Sequence, residues 1–213
     1  MRSGTQVAQG VGDMNEQRYA MAGWMSIVGA VLFSISFVVG ILQAIIAGKA
    51  FGYHGPVIGP SDVLALMFSA IAVYALIMFR RLLNERYAFR GIDGLITFSI
   101  IWTIAFQLIL LGIKILVMLS GLGEELWVGI INLGIVALFM LTIGIIDILI
   151  GVKLLQAKQE LNELITILAY VSLVSGILEA SVLLSPLAVV FVPISFILIG
   201  LILLKGNERA EFV

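Results

Sequence analysis

Charged and amide side chains inside long apolar runs are the residues of this chain that could do chemistry. Each is costly at membrane depth unless it has a partner or a wet cavity. Lys114 ends a stripe of Ser99, Thr103, Gln107 and Lys114, spaced 4, 4 and 7, on a segment otherwise rich in Ile, Leu and Phe. That spacing puts them on one helix face. Glu179 shares a face with Ala169, Ser172 and Gly176, so it points into a bundle. At matched depth, Lys114 and Glu179 could form an ion pair with Gln43 at the same level. The pair reads either as a bridge that fixes helix register, each charge cancelling part of the other's desolvation cost, or as the floor of an outward-facing polar pocket. A Lys114 that snorkels to headgroups is a further structural reading.

Asp147 lies near the other end of its helix, level with Arg80, Arg81 and Lys153. A structural ion pair with these cations is the first expectation, and a proton- or cation-handling carboxylate the sharper one. Pro193 lacks an N–H and frees the carbonyl of Val189, so it predicts a kink. His54 sits in Gly52-Tyr53-His54-Gly55-Pro56, a turn in which it reads as an interfacial loop residue. Glu124 and Glu125 border a helix start, where negative charge is favoured.

Chemistry that needs more than this is excluded. There is one His and no Cys, so multi-histidine metal sites, thiolate ligation and disulfides are out. An intramembrane serine protease needs a His at the depth of its Ser, and an aspartyl protease needs two intramembrane aspartates, of which only Asp147 qualifies. Asp93-Gly94 hints at a metal-binding transferase motif, but the further carboxylates are missing from that helix. No Gly-rich phosphate loop is present. The chain reads as a non-enzyme without cofactor or metal. Its net charge of −1 argues against nucleic acid as a partner.

These residues must be positioned by membrane helices. Of 213 residues, 62% are hydrophobic and 12% charged, with mean hydropathy +1.18. That leaves too little polar surface for a soluble particle. Spans of about 20 apolar residues place helices at 19–47, 61–82, 94–119, 125–151, 162–184 and 186–205, with Ser185-Pro186 as the last turn. The fold class is an all-α integral membrane protein, a six-transmembrane-helix bundle between a 1–18 segment and a 206–213 tail. With both termini inside, Arg2, Arg18, Arg80, Arg81, Arg86, Arg90, Lys153, Lys158, Lys205 and Arg209 are cytoplasmic, against Lys49 outside. This is a clear positive-inside asymmetry, so the expected location is multi-pass in the cell membrane. No cleavable signal peptide is apparent.

Gly40…Gln43, Gly112…Lys114 and Gly176…Glu179 recur in the odd helices, which suggests three helical hairpins related by duplication. The last hairpin, Gly176–Leu204, with Pro186 between its helices and a terminal Gly200, resembles a family of small bacterial membrane proteins built from two-helix repeats and linked to acid resistance. The resemblance assigns no residue a role.

Small residues at four- and seven-residue spacing mark helix contacts in lipid. They are Ala22/Ser26/Ala30/Ser34 and Gly29/Ser36/Gly40/Gln43 on the first helix, and Asp62/Ala65/Ser69/Ala72 on the second. Ala137/Gly144/Gly151 on the fourth and Ala169/Ser172/Gly176/Glu179 on the fifth complete the set. These faces, with the short loops, favour a non-catalytic subunit or scaffold that packs with other membrane subunits or as a homo-oligomer. The alternative is a small-solute or ion transporter or channel component whose polar pocket is built by Gln43, Lys114 and Glu179.

Overall fold

The computed structural model describes residues 3–49, 59–120, 126–181 and 184–205, so His54, Glu124 and Glu125 fall outside it. The described residues form seven helices and no strand: α1 Ser3–Lys49, α2 Pro60–Tyr87, α3 Asp93–Ser120, α4 Leu126–Gln156, α5 Glu163–Ala180, α6 Ser185–Ala188 and α7 Phe191–Lys205. Six stretches are long and apolar enough to cross a membrane, with Pro186–Lys205 taken as one. Large apolar side chains such as Leu108, Leu116 and Leu119 on α3 lie 64 to 77% exposed. So much bare apolar surface suits acyl chains, not water.

Local chemistry sets the helix ends. Pro60 opens α2, where its missing N–H costs nothing, and the Asp62 carboxylate accepts the Gly59 N–H at 2.9 Å. Ala88 closes α2 in the left-handed region at φ 50°, a conformation that glycine adopts without the Cβ penalty. The Asn162 side chain caps α5 by accepting the Leu164 N–H at 2.8 Å.

Several helix bounds differ from expectation: α2 runs to Tyr87 rather than 82, α4 to Gln156 rather than 151, and α5 stops at Ala180 rather than 184. The first helix begins at Ser3, so residues 18 and 19 mark no helix boundary. The final helix is not merely kinked at Pro193. It is broken at Val189–Val190, and Pro193 sits in the first turn of α7. A proline ring is tolerated there, where no intrahelical donor is lost.

Packing follows the small-residue faces. α1 lies against α7 and α2, and α4 lies against α5, while α3 touches α2 and α4 only lightly. A Cβ on Gly144 would stand 2.5 Å from the Ala180 nitrogen and 2.7 Å from the Gly176 carbonyl. One on Gly23 would stand 2.8 Å from the Gly200 carbonyl. Only glycine permits such approach. Ser26 donates to the Phe196 carbonyl at 2.7 Å, so the Ala22/Ser26/Ala30 face meets α7. Gly29 faces Ile71, and Ser36 donates to the Ser61 carbonyl at 3.2 Å, so the second α1 stripe meets α2.

The three glycines that suggested a repeat have different surroundings. Gly176 is wedged on Gly144, whereas a Cβ on Gly40 or Gly112 would meet nothing within 4 Å. With α3 and α4 barely in contact, the hairpins are not packed alike.

Candidate functional site

Two kinds of polar constellation occur. The first closes the ends of the bundle. At the Asp62 end, Lys114 donates to Asp62 in an ion pair whose side chains are 22% and 24% exposed. Ser61 donates to the Gln43 Oε1 at 2.5 Å. Gln107 donates to Ser69 Oγ at 2.8 Å, further along the same seam. Asp62 and Ser69 are seven residues apart, as are Gln107 and Lys114, so the antiparallel helices α2 and α3 are joined by two rungs.

At the Glu85 end, Arg80 pairs with Asp93 at 3.2 Å and donates to Thr97 at 2.8 Å. Asn84 also donates to Asp93. Glu85 accepts from Arg81 Nε and from the Tyr19 hydroxyl, each at 2.6 Å. The Arg86 guanidinium lies over the Tyr19 ring.

These pairings correct two expectations. Lys114 pairs with Asp62, not with Glu179. α5 packs on α4 and α7, whereas Asp62 leads the helix next to α3. Matched depth alone missed this. Counting from the α2–α3 turn finds it: Asp62 lies 26 residues before Ala88, and Lys114 lies 22 after Ile92. Asp147 does not pair with Arg80, Arg81 or Lys153. The two arginines hold Asp93 and Glu85. Lys153, six positions from Asp147, projects from a different side of a helix with about 3.6 residues per turn and is exposed.

The second constellation is a cavity of about 410 Å³ lined by residues of all seven helices. Its walls are mostly apolar, with Ser69, Ser99, Thr103, Gln107 and Ser172 among the uncharged polar side chains that line it. Asp147 and Glu179 are its charged lining residues. Glu179 is 4% exposed. One of its oxygens accepts from Ser175 Oγ at 3.0 Å, and the other, Oε2, has no partner among the described residues. Asp147, from α4, lines the same cavity as Glu179, from α5. Among the described residues Asp147 takes part in no ion pair.

Gln43 and Lys114 therefore belong to the closed end layer, while Glu179, Asp147 and Gln107 line the cavity. Ser175 was not singled out in the sequence, although its position four residues before Glu179 is the signal for a same-face partner. Ala188, Val189 and Val192 also line the cavity, so the broken helix borders it. Irregular backbone at membrane depth is tolerated in such places.

Comparison with family models, with characterised proteins and with solved structures returns no match for this chain. The likeness of the last hairpin to two-helix-repeat proteins thus gains no support and carries nothing further.

Proposed function

We propose that the chain is a multi-pass membrane protein, with both ends on the cation-rich cytoplasmic side, that binds or conveys a small solute through its central cavity. The observation that carries this reading is the void itself: about 410 Å³, bordered by a helix break, with Glu179 Oε2 left unpartnered. Ligand sites in proteins are concave and mostly apolar, with a few convergent polar groups.

The absence of cysteine makes the test direct. A Ser172→Cys variant places one thiol on the cavity wall, and Ser26→Cys places one in the closed α1–α7 contact. A small uncharged thiol reagent should label the first in native vesicles and spare the second. Equal labelling, or none at either site, would remove the accessible cavity. An alkaline phosphatase fused after Val213 should be inactive, as expected of a cytoplasmic end, and an active fusion would reverse the orientation.

The reading as a non-catalytic subunit of a larger assembly stands second. Gly23, Gly144, Gly151, Gly176 and Gly200 are occupied within the chain, whereas the surfaces around Gly40 on α1, Gly112 on α3 and Gly134 on α4 have room for another helix. Copurification with mass spectrometry tests it. A stoichiometric membrane partner supports the reading, and a chain purified alone counts against it.

A further inference from the structure

At the two ends of the bundle three cations stand on carboxylates, whereas among the described residues neither cavity carboxyl is paired with a cation. Lys114 meets Asp62, Arg80 meets Asp93, and Arg81 meets Glu85. Asp147 on α4 and Glu179 on α5 face the void, and among the described residues no cationic side chain lines it from any helix. Glu179 keeps a free acceptor oxygen although it is almost fully buried. A buried acceptor without a donor is costly, and a donor carrying positive charge satisfies it best.

The rest of the wall specifies what should carry that charge. Phe33, Phe68 and Phe196 form an edge-linked series with ring centroids 4.9 and 5.1 Å apart. Phe106 and Phe139 stack at 3.7 Å. All five line the cavity. Aromatic faces attract organic cations and bury apolar bodies. A bare divalent ion is a poor match, because among the described residues no three His, Cys, Asp or Glu side chains gather as a metal site would need.

We propose that the cavity takes a monovalent organic cation with an apolar, aromatic-sized body, its charge held between Asp147 and Glu179. This rests on the cavity reading above and names the solute class for it. An anion of the same shape meets two carboxyls and no counter-charge, so the site discriminates by sign.

The test uses three probes of similar shape on the full chain in lipid nanodiscs, with empty nanodiscs subtracted: tetraphenylphosphonium, tetraphenylborate and neutral triphenylphosphine oxide. Saturable binding of the phosphonium is expected, at least tenfold tighter than either of the others. Glu179→Gln keeps an oxygen for Ser175 and should weaken it about tenfold or more. Asp147→Asn should weaken it severalfold, and Glu163→Gln, on the exposed first turn of α5, should leave it unchanged. If Glu179→Gln does not yield a folded protein, Asp147→Asn decides. Equal binding of all three probes overturns the cation assignment and leaves the cavity reading standing. No binding of any probe while Ser172→Cys still labels does the same. No binding together with a silent Ser172→Cys overturns both.

Discussion

The α4–α5 seam and the α2–α3 seam are built on opposite principles. Along α4–α5 the backbones touch, with Gly144 on Gly176 and Gly151 on Ala169, and nothing larger than hydrogen fits between them. Along α2–α3 the helices touch only lightly, held by Lys114–Asp62, Gln107–Ser69 and Arg80–Asp93, and both contribute to the cavity wall. Without a hydrophobic drive between helices in lipid, close approach gathers many small dispersion contacts, whereas a polar rung supplies one directed contact. The first seam can stabilise the fold, and the second can leave space for a solute.

The contrast can be broken most severely at Gly144. A Gly144→Leu change forces a side chain into the Ala180 and Gly176 backbone and should cost about 3 kcal/mol or more. The readout is an earlier midpoint in detergent unfolding or loss of the monodisperse protein.

Lys114→Met comes next. It leaves Asp62 without its cation at a partly exposed site and should cost about 2 kcal/mol, below the value for a fully buried pair. Adding Asp62→Asn should recover about half of that loss. Adding Glu179→Gln instead should be additive within about 0.5 kcal/mol. Strong coupling to Glu179 would mean that α3 and α5 meet after all.

Gln107→Leu removes one interhelical hydrogen bond and should cost about 0.6 kcal/mol. Gly112→Ala puts a methyl into open space and should change stability by less than about 0.5 kcal/mol. A large loss there would reveal a partner helix on that face.

Hydropathy made the six apolar spans legible, because about 20 apolar residues admit few other solutions. The small-residue faces were legible in part: Ala22, Ser26, Gly144 and Gly176 lie at helix contacts, whereas Ala65, Ser69 and Ala72 line the cavity and Gly40 faces open space. Partner choice was harder. Depth is one coordinate and the angle around the helix is another. Reading depth alone tied Lys114 to Glu179 and Asp147 to the arginines. The extent of the break near Pro193 was hidden too. A ring in the first turn of a helix removes no intrahelical bond, and the two turn residues before α7, Val189 and Val190, carry no helix-breaking type of their own. A cavity assembled from seven helices has no local signature at all, since each contributes ordinary Phe, Ser or Ile residues.

The uneven lengths of the helices have a consequence for the surrounding lipid. α3 with 28 residues and α4 with 31 reach well past a hydrocarbon slab, whereas α5 with 18 spans only about 27 Å and the interrupted last span, Pro186–Lys205, has 20. In a bilayer, acyl chains beside the short pair would have to compress while those beside the long pair stretch or let the helices lean. Membrane thickness would then act as a mechanical load on the short helices, each set against a longer neighbour, α5 on α4 and the interrupted last span on α1.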